Sequence, residues 1–214
     1  MKFKRSLLVS LVFLAISVGV AVWLYPRLPA QVPTHWNMQG QVNDHMPRFW
    51  GAAISPLMIV FLAFLTWLLP VISPRRFEIA PFAHVYTLVM LAAQGLVLVL
   101  GVCMLLAGAG YAVPIPMIAM LGTGVFFMLI GNYMGKLRKN FFIGIRTPWT
   151  LASDAVWERT HRLGGWLFML AGALVIVFTL ADTPPWLPLA VLIGAAVVPL
   201  VYSFVIYKRL PAND

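Results

Sequence analysis

A chain of 214 residues with 62% hydrophobic and only 10% charged side chains lies outside the range of soluble globular domains, which carry about 25% charged residues. No water-soluble core of this length could bury so much apolar surface. The bilayer is therefore the expected solvent, and one membrane domain spanning 1–214 is the simplest organisation. Fifteen Lys and Arg against six Asp and Glu give a net charge of +9. In so apolar a chain that excess belongs to cytoplasmic loops, and no direct contact with nucleic acid is expected. Cys103 is the only cysteine; it sits in an apolar run with no thiol to pair with, and reads as packing.

Six apolar segments can be marked, at approximately 6–24, 52–72, 84–107, 114–134, 163–180 and 186–207. Each is long enough for a hydrocarbon core of about 30 Å. Lipid offers no partners to unpaired backbone groups, and the alternation of a barrel strand is absent, so the segments are predicted as helices. The expected fold is an all-α bundle of six transmembrane helices. Pro56, Pro70, Pro114, Pro116 and Pro188 fall near segment edges, where a missing N–H matters least, whereas Pro199 predicts a kink inside the sixth segment. The first run, about 18 residues, is longer than a signal-peptide core of about 7–15, and it reads as a retained helix. Gly95, Gly101 and Gly108 in the third segment, and Gly131 and Gly135 in the fourth, are small residues suited to close helix packing within the chain.

Orientation follows from the basic residues. Lys2, Lys4 and Arg5, then Arg75 and Arg76, then Lys136, Arg138, Lys139, Arg146, Arg159 and Arg162, and finally Lys208 and Arg209 fall on one side. Only Arg27 and Arg48 fall on the other, so thirteen of the fifteen predict cytoplasmic termini.

The spans are almost free of ionisable groups, which argues against an ion-coupled transporter. Only Gln94 lies well inside one, and it reads as interhelical glue. The polar residues concentrate instead in two long loops. The external loop, 25–51, places Val32, Thr34 and Trp36 in strand-like alternation. Asn37 to Gly40 can then supply a turn with positive φ, so a small β-hairpin is expected there. His35, Asp44 and His45 carry ligand chemistry, but their spacing fits no standard metal site and turn-making is favoured.

The internal loop, 135–162, contains a bend at Thr147–Pro148. A helix follows, with Thr150 or Ser153 as its cap and Asp154 in its first turn. Glu158 and His161 form an E-x-x-H pair on one face of that helix, a spacing that can bind metal in helical bundles. A single copy favours a juxtamembrane helix whose charges are solvated or paired with Arg159 and Arg162. No metal or other cofactor is called for. The weak metal candidates are His35, His45, Glu158 and His161. Nucleophile elbows, phosphate loops and zinc-protease motifs are absent, so no catalytic residue is assigned.

The run from Pro33 to Gly40, PTHWNMQG, followed by Asp44, resembles the small segment known as DUF1648. The runs GNYMGK from Gly131, NFFIGIRTPWTL from Asn140 and WERTH from Trp157 resemble the C-terminal signature of the SdpI family of bacterial membrane immunity proteins. The resemblance divides the chain into a DUF1648-like part, 1–72, and an SdpI-like part, 73–214. It implies a multi-pass protein of the bacterial inner membrane that is not an enzyme. Its implied partners are the bilayer, a secreted peptide toxin outside and a cytoplasmic repressor inside. On this reading His35, Trp36, Asn37, Gly40 and Asp44 contribute to peptide recognition. Asn132, Asn140, Gly144, Arg146, Thr147, Pro148, Trp149, Trp157, Thr160 and His161 form a structural or docking motif. Two rivals stand beside it: a small transporter or channel for an amphiphile, with Gln94, Thr66 and Thr123 as its polar candidates, and a metal-dependent membrane enzyme.

Overall fold

A computed structural model of the chain describes residues 3–37 and 39–210. Lys2 of the predicted cytoplasmic terminus and Met38 of the predicted turn lie outside the described residues. The elements run α1 (Phe3–Leu24), β1 (Gln31–Trp36), β2 (Val42–Pro47), α2 (Arg48–Ile72), α3 (Ala83–Gly108), α4 (Ile115–Met134), α5 (Pro148–Ala152), α6 (Asp154–Leu180) and α7 (Trp186–Arg209). Among the described residues six helices are long and apolar enough to cross a membrane: α1, α2, α3, α4, α6 and α7. Their apolar side chains are widely exposed, Trp166 by 70% and Val22 by 68%. Only lipid makes such a surface stable.

One boundary differs markedly from the sequence reading. The juxtamembrane helix and the fifth span are one helix of 27 residues, α6. Nothing between Asp154 and Leu163 breaks helix, and Ser153 caps it by accepting the Val156 N–H at 3.2 Å. α7 continues through a buried Pro199.

The chain divides into two compact units, Met1–Trp67 with Met90–Gly122, and Leu68–Val89 with Thr123–Asp214. In the first, the core gathers Ala21, Leu24, Leu28, Val32, Ala52, Met104 and Leu105, with Trp36 and Ile54 partly buried against it. The Ser17 and Ser55 hydroxyls lie 3.1 Å apart. Gly101 packs so tightly against Ser55 that a Cβ there would collide with it.

In the second unit the close approach is between α4 and α6. A Cβ on Gly131 would lie 2.6 Å from the Gly165 carbonyl, and one on Gly124 2.9 Å from that of Gly172. The seam therefore has seven-residue spacing on both helices and does not use the Gly131/Gly135 pair. Gly135 lies past the end of α4, with nothing within 4 Å of where a Cβ would stand.

Candidate functional site

The 25–51 loop forms the expected hairpin. β1 and β2 pair antiparallel, with Gln31 opposite Pro47 and Trp36 opposite Val42, and the register is irregular on both sides of His35. Asn37 builds the turn. Its Oδ1 accepts the N–H groups of Gln39 at 3.0 Å and Gln41 at 2.9 Å, and its amide donates to Gln41 Oε1 at 3.0 Å. Gly40 has φ +77°, the left-handed conformation in which a side chain would be strained. Arg48 closes the base, donating its backbone N–H to Ala30 O at 2.9 Å and its Nε to Pro29 O at 3.2 Å.

One side chain anchors this ribbon. Val32 is fully buried in a notch left open by two glycines. A Cβ on Gly51 would lie 2.8 Å from Val32 Cβ, and one on Gly108 3.1 Å from Val32 Cγ1. Strand β2, by contrast, is exposed along almost its whole length.

Beneath the hairpin lies an apolar cavity of about 400 Å³ whose lining includes Thr34, Trp36, Ser55, Met58, Met104 and Pro116. His35 also borders it, and the His35 ring is tied across the sheet to Asn43 at 2.6 Å. The Thr34 hydroxyl is buried with no hydrogen-bond partner among the described residues. Of the five predicted recognition residues, then, His35 and Trp36 face this cavity. Asn37 and Gly40 shape the turn, and Asp44 lies on exposed β2, where its carboxylate accepts the His45 N–H at 2.8 Å. Sequence reasoning missed Thr34, Met58 and Met104, because nothing in a single chain marks an ordinary strand Thr or a span Met as lining a void.

The 135–153 segment is held differently. Asn140 is fully buried, and its amide organises the loop. Its Oδ1 accepts the N–H groups of Phe142 and Ile143, each at 2.8 Å, and its Nδ2 donates to Arg138 O at 2.8 Å and Ile143 O at 3.0 Å. Arg146 donates to the Phe141 carbonyl. Thr147 and Thr150 form a reciprocal capping box at the start of α5, with Pro148 in its first turn. The Thr150 hydroxyl also reaches Ile145 O at 2.9 Å. Trp149 donates its indole N–H to the Ser203 hydroxyl on α7 and packs edge-on against Phe204.

At the centre of this segment stands His161, buried in α6. Its Nε2 accepts the Ile145 N–H at 3.0 Å, which leaves the proton of the neutral ring on Nδ1 for the Trp157 carbonyl at 2.8 Å. The imidazole stacks on Trp157 with centroids 4.0 Å apart, and Trp157 donates its indole N–H to Leu137 O at 2.9 Å. Gly144, with φ +111°, lies where a Cβ would strike the imidazole.

His161 thus clasps loop to helix with both ring nitrogens. Glu158 is turned elsewhere, its side chain 63% exposed and 4.0 Å from Arg138, so the E-x-x-H pair is not arranged as metal ligands. Among the described residues no three His, Cys, Asp or Glu side chains converge to hold a metal. The expected pairing within α6 to Arg159 and Arg162 is also replaced: Asp154 pairs with Lys139 at 2.5 Å, and Glu158 faces Arg138. The irregular backbone after Leu137 presents those two cations to α6. Asn132 is exposed on α4, and Thr160 is buried with its hydroxyl unpartnered among the described residues.

Six apolar helices and two elaborated loops define a multi-pass protein of the bacterial inner membrane. Residues 136–203 match the SdpI/YfhL protein family, and residues 12–60 match the domain of unknown function DUF1648. Both loops fall largely within the matched segments, as the resemblance in their residues implies. The chain is also 26% identical over 208 residues to the immunity protein SdpI of Bacillus subtilis (strain 168), covering 95% of this chain and 96% of that protein. No solved structure matches it.

Proposed function

We propose that the chain is a non-enzymatic membrane immunity protein that protects its cell against a secreted membrane-active peptide. The observation that carries this reading is the end-to-end likeness to an immunity protein. The cavity under the hairpin supports the reading. A membrane-active peptide arrives along the lipid interface and must bury apolar side chains to be held. Met58 and Met104 supply a pliable apolar wall. The unpartnered Thr34 hydroxyl can bond a peptide main chain but gains nothing from an acyl chain. In this reading the loop around His161 faces the cytoplasm, and its surface recruits a repressor once peptide is bound.

The test is deletion and complementation in a sensitive strain, scored as survival under challenge with membrane-active peptides. The intact chain is expected to restore survival. Thr34→Val and Arg146→Ala are expected to lose most of it at equal membrane abundance. Equal survival with and without the chain sinks the reading. A second reading, a small transporter or channel for an amphiphile, is favoured by Gln94. That side chain is fully buried in α3, and neither amide atom is paired among the described residues. Flux of a fluorescent amphiphile in proteoliposomes, abolished by Gln94→Leu, would favour the transporter.

A further inference from the structure

Beside the His161 clasp, the second unit carries an open cleft of about 950 Å³. Its charged wall is formed by Lys136, Arg138, Lys139 and Arg162 together with Asp154 and Glu158, four cations against two acids. Lys139 is neutralised by Asp154 at 2.5 Å. Arg138 reaches Glu158 only at 4.0 Å, with both side chains more than half exposed, a contact of little strength in water. Lys136 and Arg162 make no ion pair with the described acidic side chains. The Lys136 ammonium lies instead 4.7 Å from the centroid of the Tyr133 ring.

The placement of the two unpaired cations matters as much as their charge. Lys136 stands two residues beyond the end of α4 at Met134. Arg162 is the last charged residue of α6 before an uncharged apolar run to Leu180. Each therefore sits at the polar end of a membrane-crossing helix, where headgroups lie. The cleft is also lined by the apolar side chains of Phe77, Pro81, Leu137 and Leu151.

We propose that this cleft binds the headgroup of an anionic phospholipid. The phosphate lies among Lys136, Arg138 and Arg162, and the glycerol and first acyl carbons lie against the apolar lining residues. The surplus of cations supplies the charge complementarity. The apolar lining distinguishes a lipid from free phosphate, which would use the cations alone. The position at the span ends distinguishes it from a soluble acidic peptide, which needs no such level. The proposal stands whether or not the immunity reading holds.

The full-length protein, purified in uncharged detergent, is mixed with equal phosphatidylglycerol and phosphatidylcholine and examined by native mass spectrometry for retained lipid. Phosphatidylglycerol is expected to be retained in preference. The double substitution Lys136→Gln with Arg162→Gln should weaken its retention by about 30-fold, while phosphatidylcholine is unaffected. Lys136→Arg with Arg162→Lys should keep it, and Arg27→Gln with Lys208→Gln should change it little. Salt titration of the unaltered protein, which should release phosphatidylglycerol and not phosphatidylcholine, decides the matter if the double variant fails to fold. Equal retention of the two lipids overturns the proposal. So does equal loss in the Arg27 and Lys208 variant, displacement by inorganic phosphate alone, or retention of hexaglutamate in place of the lipid.

Discussion

The hairpin loop and the α4–α6 loop are both long and set between membrane-crossing helices, yet they satisfy their backbones in opposite ways. The hairpin uses main-chain pairing, a turn built by one Asn, and a single buried anchor, Val32. Most side chains of β2 are left over, facing outward. The α4–α6 loop has no ladder. Its carbonyls and N–H groups are met by the buried side chains of Asn140, Thr150, Trp157 and His161. A ribbon of the first kind tolerates side-chain change and can devote its surface to a ligand. A loop of the second kind depends on the identity of each partner, because a lost side chain strands a buried polar group.

Substitutions can break or sharpen that contrast. The largest effect is expected from Gly144→Ala, which adds a Cβ at φ +111° against the His161 ring. It should lower stability by about 3 kcal/mol, read as the thermal midpoint in detergent. In a His161→Ala background the same change should cost only about 1 kcal/mol, since the collision is gone. Additive costs would mean that the two residues do not touch.

The paired asparagines come next. Asn140→Ala strands two N–H groups and two carbonyls and should cost about 2–3 kcal/mol. Asn37→Ala, in an exposed turn that water can solvate, should cost about 1 kcal/mol or less and raise amide exchange only across 31–47. Equal costs at the two sites would erase the distinction between the loops.

The smallest effect belongs to Glu158→Gln. Its exposed 4.0 Å contact with Arg138 should change the midpoint by no more than about 0.5 kcal/mol. A larger loss would mean that Glu158 does more than sit on the rim of the cleft.

Much of this was legible in the chain. Five of the six spans were readable to within a few residues, as was the turn from Asn37 to Gly40, because both are set by local chemistry. Ser153 was one of two caps, with Thr150, that the chain offered for α6, and Ser153 is the one used. Less legible was the work of the α4–α6 motif. Helical spacing put Glu158 and His161 on a common face, a weak metal candidate beside the favoured reading of charges solvated or paired with Arg159 and Arg162, and it says nothing of what lies opposite. Trp149 read as part of a structural or docking motif with no partner assigned, and its indole is bonded within the chain to Ser203.

The sequence by itself determined six apolar helices, two polar loops and a hairpin. In lipid each helix must satisfy its own backbone, and a tight turn is fixed by the residues in it. Tertiary structure alone decided which groups meet across distance: Ile145 with His161, 16 residues on, Trp149 with Ser203, 54 residues on, and the glycine seam of α4 and α6. Those contacts depend on packing direction and side-chain reach, which no local period encodes. They turn a run of conspicuous residues into a clasp, with a charged cleft at its side.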